Sequence, residues 1–105
     1  MTDDELPKTV FDDLFSVIES RRETLPDDSY TASLFTHEKG ENAALEKLGE
    51  EATETILAAK DSDSAAIQAE SADLIYHLFV VLAMEEITLD DLGRSCMDDF
   101  KKNCC

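Results

Sequence analysis

The stretch EATETILAAKDSDSAAIQAESAD, running from Glu51 to Asp73, decides how this chain folds. Its acids mirror one another about Ser62: Glu51 and Glu54 lie 11 and 8 residues before it, Asp73 and Glu70 lie 11 and 8 after it. Between the flanks, Asp61-Ser62-Asp63-Ser64 is a short connection made of helix-capping residues. The pattern predicts two helices folded back at Ser62. Glu51 and Glu54 are three apart, as are Glu70 and Asp73, so each pair points one way from its helix. An antiparallel hairpin then sets all four carboxylates level. Lys47 and His77, each fifteen residues from Ser62, fall one turn further along the same stripe.

Such a cluster is costly alone. Two carboxylates about 5 Å apart repel by roughly 3 kcal/mol at an effective dielectric near 20. Several such pairs rival the ~5–15 kcal/mol stability of a whole domain. Protonation, splaying or a divalent cation must relieve the repulsion, and oxygen-only ligands favour Mg²⁺ or Mn²⁺ over zinc or copper. The competing reading is a solvated acidic face. Against it stands Asp73, whose setting in Ser71-Ala72-Asp73-Leu74-Ile75-Tyr76 places it in a stretch expected to be buried. An EF-hand starting at Asp61 fails, because its sixth position is Ala66 rather than Gly and its twelfth is Ala72 rather than Glu.

Outward from the hairpin, four helices are expected. The first runs from about Pro7 to Glu23, with Val10, Phe11, Leu14, Phe15 and Ile18 on one face. Pro26-Asp27-Asp28-Ser29 ends it, and Tyr30 to Glu38 reads as a connector with one helical turn. The second covers about Asn42 to Lys60, with Leu45, Leu48, Ala52, Ile56 and Ala59 as its inner face. The third, Ser64 to Met84, is apolar nearly all round beyond Ser71 and reads as the central helix. The fourth starts at Thr88, whose spacing to Asp91 suits a capping box. Its inner face is Leu89, Leu92, Cys96, Met97 and Phe100, and Gly93-Arg94-Ser95-Cys96 is expected to interrupt it. The fold class is thus an all-α antiparallel bundle of about four helices. A central helix apolar on so many sides needs more partners than one chain supplies, so a homodimer is expected to complete it.

At 105 residues the chain is one domain, 1–105, with an acidic N-terminus (1–8) and a tail (101–105) expected to be flexible. Its formal charge of −16 weighs against nucleic-acid binding, which needs Lys and Arg against phosphates. A nucleotide substrate is not excluded, since bound cations invert the local field. No stretch reaches ~18 uninterrupted apolar residues, and the N-terminus lacks the apolar core of a secretory signal. A cytoplasmic protein without membrane partners is expected. Cys96, Cys104 and Cys105 read as free thiols rather than zinc ligands.

Glu50-Glu51-Ala52-Thr53-Glu54, followed by Glu70-Ser71-Ala72-Asp73, resembles the EExxE…ExxD signature of the all-α nucleoside-triphosphate pyrophosphohydrolases (MazG-like). Ser29-Tyr30-Thr31-Ala32-Ser33-Leu34, Lys47-Leu48-Gly49-Glu50-Glu51-Ala52 and Ala72-Asp73-Leu74-Ile75-Tyr76-His77-Leu78 are similar to the phosphoribosyl-ATP pyrophosphatases of histidine biosynthesis. The likeness covers roughly Phe11 to Leu92. It implies Mg²⁺-dependent hydrolysis of phosphoribosyl-ATP to phosphoribosyl-AMP and pyrophosphate, with metal held by Glu51, Glu54, Glu70 and Asp73. Glu51 and Glu54 would serve catalysis through that metal. Glu50 lies off their stripe and would support the ligands or act as a base for the attacking water. Rival readings are a sister enzyme acting on dUTP or non-standard nucleoside triphosphates, and a non-enzymatic acidic helical interaction module.

The substrate contacts keep their alternatives. Lys47 suits a phosphate contact or an ion pair with Glu51 at i+4. His77 would orient a ligand, touch substrate, or sit hydrogen-bonded in the core. Ser29, Tyr30 and Thr31 suit ribose or phosphate contacts, or a helix cap served by Thr31. Arg21 and Arg22 are two of three arginines, and at least one is expected to face the anionic substrate or pair with the acidic stripe.

Overall fold

The computed structural model describes residues 9–104, with side chains as far as Lys101. The segment 1–8 and Cys105 lie outside the described residues, and with them most of what was expected to be flexible. Five helices and no strand follow one another: α1 (Val10–Thr24), α2 (Tyr30–Phe35), α3 (Glu41–Lys60), α4 (Ser64–Met84) and α5 (Leu89–Cys104). The all-α class stands, and the helix count rises from four to five. The added helix is α2. Six residues are too few to show a hydrophobic period, but Ser29 caps it by accepting the Ala32 N–H at 3.1 Å, and Ala32 and Leu34 anchor it in the core.

The turn between α3 and α4 is built as the mirror about Ser62 requires. The Ser62 N–H reaches the Ala59 carbonyl at 3.1 Å and the Asp63 N–H reaches Ala58 at 3.4 Å, which closes α3 in a Schellman motif. Ser62 itself takes φ +54°, the left-handed conformation usually left to glycine. Asp63 then starts α4 by accepting the Ala66 N–H at 3.1 Å. Because an L side chain in that conformation costs ~1 kcal/mol, Ser62→Gly should raise stability by up to about that amount, measured by chemical denaturation. A loss of stability would show that the Ser62 side chain holds the turn. At the other end of α4 the Thr88–Asp91 capping box forms, each residue's N–H meeting the other's side-chain oxygen at 3.1 Å.

The core lies where α1, α2, α3 and α4 meet, around Phe15, Ile18, Leu34, Ala44, Phe79, Val80 and Ala83. Phe15 and Phe79 pack edge to face, their ring centroids 5.4 Å apart. By length and mean hydropathy alone α4 would suffice to cross a bilayer. Here it is the central helix, packed against α1, α2 and α3, with Glu70 and Asp73 converging with Glu51 of α3.

Two expected faces are corrected. On α3 the residues turned inward are Ala44, Glu51 and Ala58, while Leu45, Ile56 and Leu57 are 45%, 61% and 57% exposed. Small alanines let α4 approach closely, so Leu45 and Ile56 of the anticipated inner face point away from the bundle, while Leu48 and Ala52 are half-buried. On α5 the helix runs unbroken through Gly93-Arg94-Ser95-Cys96 as far as Cys104. Only Leu89 and Leu92 of its anticipated inner face pack on the core. Cys96, Met97 and Phe100 are exposed.

Candidate active site

The hairpin brings together one carboxylate oxygen each from Glu51, Glu70 and Asp73, all within 4.8 Å of one another. Glu54 stands outside this trio. It lies beside Glu51, close enough to share a hydrogen bond when one of the two is protonated. The burial anticipated for Asp73 falls instead on its partner: Asp73 is exposed, Glu70 is half-buried and Glu51 is 7% exposed. Asp73 stands on an exposed side of α4, whereas Glu51 projects from the alanine-lined side of α3. Burial raises the Glu51 carboxyl above its ordinary value of 4.5, and the neighbouring charges of Glu54 and then Asp73 push the same way.

Two buried polar atoms have no partner among the described residues, Oε2 of Glu51 and Nε2 of His77. The imidazole Nδ1 lies 2.9 Å from the Asp73 carbonyl oxygen, which can only accept, so Nδ1 carries a proton and Nε2 is left buried without a partner. His77 is close enough to Glu51 that its charge would favour the carboxylate. A carboxylate oxygen and an imidazole nitrogen, both buried and both unpaired, are costly unless a ligand uses them. The donor set is hard oxygen at its centre and fits Mg²⁺ or Mn²⁺.

Lys47 borders the trio as its spacing implied. Its Nζ lies 3.9 Å from Glu51 Oε1 and 3.7 Å from Glu50 Oε1, and the charge of Glu50 is the main reason its pKa is raised. Glu50 is exposed and leans toward Lys47, away from the stripe of Glu51. The Ser29-Tyr30-Thr31 segment reaches the site through α4. Thr31 Oγ1 hydrogen-bonds the Tyr76 hydroxyl, Tyr30 stacks on the Tyr76 ring at 6.5 Å, and Tyr76 meets His77 edge to face at 4.8 Å. The cap of α2 is Ser29 and not Thr31, so Thr31 keeps its hydroxyl for Tyr76.

The arginines are not gathered here. Arg22 pairs with Glu86 at 3.9 Å and lines a separate cavity of about 380 Å³ with Glu41 and Met84. Met84 follows Asp73 by eleven residues, about 16 Å along a helix. Arg22 thus stands at the far end of α4 from the acidic trio, and Arg21, one position earlier, makes no ion pair within 4 Å among the described residues. Two residues absent from the sequence reading do approach the site, His37 and Lys39. They share with Tyr30, Lys47 and Glu50 a cleft of about 230 Å³. Their signal was weak, because they lie in a loop without periodicity or motif.

A helical hairpin that converges three carboxylates beside a lysine suits an all-α protein that acts on phosphate anhydrides with a divalent metal. Comparison with known proteins makes this specific. The family model described as phosphoribosyl-ATP pyrophosphohydrolase matches residues 11–98. A protein of Haloquadratum walsbyi named phosphoribosyl-ATP pyrophosphatase is 99% identical over 92 residues, 88% of this chain and 92% of that relative. Proteins of the same name are 68% identical in Haloarcula marismortui (79% of this chain, 85% of the relative) and 49% identical in Methanococcoides burtonii (90% and 93%). The chain belongs to the phosphoribosyl-ATP pyrophosphohydrolase family of hydrolases. Membership removes the non-enzymatic helical module as a reading.

Proposed function

We propose that this member of the family hydrolyses phosphoribosyl-ATP to phosphoribosyl-AMP and pyrophosphate, the second step of histidine biosynthesis, as a Mg²⁺-dependent, cytoplasmic homodimer. The single observation that carries the site is the convergence of Glu51, Glu70 and Asp73 around a buried, unpaired carboxylate oxygen. These three would hold the metal, with Glu54 completing the set from the next turn of α3. Bound there, a divalent cation neutralises the phosphates and makes water a better nucleophile.

The remaining work belongs to side chains of this chain. Lys47 offers its ammonium to the phosphates and is released from Glu50 and Glu51 as they arrive. Water would add across the anhydride bond between the AMP moiety and the two terminal phosphates, which breaks to release pyrophosphate. Glu50, exposed beside Lys47, would accept the proton of that water once the phosphates draw Lys47 away from it. His77, held by the Asp73 carbonyl through Nδ1, would meet a ligand with its buried, unpaired Nε2 rather than react. Tyr30 and Thr31, joined to Tyr76, form the wall on which the nucleoside would rest.

The outward faces of α3 and α5 support the dimer. Leu45, Ile56 and Leu57 on α3, with Met97 and Phe100 on α5, are large apolar side chains left exposed by the single chain. A second copy would cover them. Light scattering should give twice the chain mass, and Ile56→Glu should shift it toward one chain. A monomeric parent protein would remove the dimer from the account.

Substrate choice is tested by incubating the protein and Mg²⁺ with phosphoribosyl-ATP, dUTP, ITP and dCTP. Pyrophosphate is expected from phosphoribosyl-ATP by a wide margin. Preference for any of the others would move the chain to a sister activity.

A further inference from the structure

The cleft beside the carboxylates holds two groups that the chemistry described so far does not use. His37 and Lys39 stand in the turn that joins α2 to α3. Gly40 makes this turn possible, with φ +63° and ψ −142°, a conformation all but closed to other residues. The Gly40 N–H donates to the His37 carbonyl at 2.8 Å, and the Lys39 N–H donates to His37 Nδ1 at 3.0 Å. That second bond assigns Nδ1 as an acceptor, so neutral His37 carries its proton on Nε2, where it is free to donate. The turn is thus braced in a form that offers an imidazole N–H and an ammonium together.

The cleft floor is apolar, made by Leu34 and Ala43, and Lys47 stands between it and the trio. In a chain of nine Lys and Arg against 25 Asp and Glu, two lysines and one of two histidines share this small space. Glu46 and Glu50 hold the lysines at 3.4 and 3.7 Å, long for charge-assisted bonds, and each ammonium has further N–H donors to give. Ala43 precedes Glu51 by eight residues, about 12 Å along α3. An anion seated at that end of the cleft, beyond Lys47, would stand farther from the trio than the phosphates that Lys47 would meet. It suits a phosphate at the far end of the same substrate.

We propose that this cleft is the subsite for the 5′-phosphate of the substrate's phosphoribosyl group, with His37 Nε2 and Lys39 Nζ as its contacts. The inference rests on phosphoribosyl-ATP being the substrate. It explains how the site would tell that molecule from ATP, which has the triphosphate and lacks the second phosphate. His37 and Lys39 are specificity residues, outside the reacting atoms.

The test uses the full-length protein with Mg²⁺, and His37→Ala and Lys39→Met. In each variant KM for phosphoribosyl-ATP should rise about tenfold or more, the usual effect of losing a hydrogen bond to a charged group. The kcat, and the Ki of ATP as a competitive inhibitor, should stay within about twofold. Unchanged KM in both variants would overturn the subsite, and so would a Ki for ATP that rises in step with KM. A parent protein that fails to release pyrophosphate from phosphoribosyl-ATP would instead remove the function on which the proposal rests.

Discussion

Asp73→Asn is expected to lower turnover about 1,000-fold or more while leaving the metal-free protein as stable as the parent or up to about 1 kcal/mol more stable. Both halves follow from where Asp73 sits. It is exposed, makes no side-chain hydrogen bond among the described residues, and adds to the negative field at Glu51. The isosteric amide removes one repelling charge at little cost in packing. It also removes an oxygen ligand from a trio in which each member counts, and losses of this kind at a site that stabilises developing charge are large. Rates of pyrophosphate release and denaturation midpoints without metal check the two halves. A substantial loss of metal-free stability would make Asp73 a structural residue.

Glu51→Gln should produce a crossover in stability. Without metal, the parent carries a buried carboxylate whose pKa lies above 4.5 because of burial first, then Glu54 and Asp73. A raised carboxyl pKa means that the folded state binds more protons than the unfolded chain between the ordinary value and the raised one. Stability therefore falls as pH climbs through that window, and the penalty persists in full above it. Asp91 acts in the opposite sense, since its hydrogen bonds from Thr88 lower its pKa and favour folding above the ordinary range. The difference between Glu51→Gln and parent isolates the site. It should be near zero below the ordinary carboxyl value of 4.5 and favour Gln at neutral pH.

Saturating Mg²⁺ should reverse that order. A ligand at a hundredfold excess over Kd stabilises by about 2.7 kcal/mol through mass action, and only the parent retains the complete trio. Thermal melts of both proteins at pH 4 and pH 7, with and without Mg²⁺, give all the comparisons needed. Parallel curves at every pH would show that Glu51 carries no buried-charge penalty.

How much of this was legible depended on the kind of signal. The hairpin was written in the chain, because caps and turns are local chemistry: Asp63 and Thr88 start their helices where the residues say they do. The level of Glu51, Glu70 and Asp73 then followed from helix geometry. Burial was not legible in the same way. Counting large apolar residues on α3 pointed Leu45 and Ile56 inward, yet close helix packing selected Ala44 and Ala58 and drew Glu51 in with them. The same cause misplaced the buried charge at Asp73. The helix α2 was too short to announce itself, and His37 and Lys39 depend on a loop shaped by one glycine, which has no period to read. Arg22 looked available because positive charge is scarce, but its partner Glu86 lies near in space at the far end of α4.

The most direct measurement of the central claim is pyrophosphate release from phosphoribosyl-ATP as Mg²⁺ is titrated into metal-free parent protein. The account predicts no turnover without metal, a saturable rise with Mg²⁺ or Mn²⁺, and equal amounts of phosphoribosyl-AMP and pyrophosphate. Turnover that ignores a chelator, or release of orthophosphate in place of pyrophosphate, would contradict it.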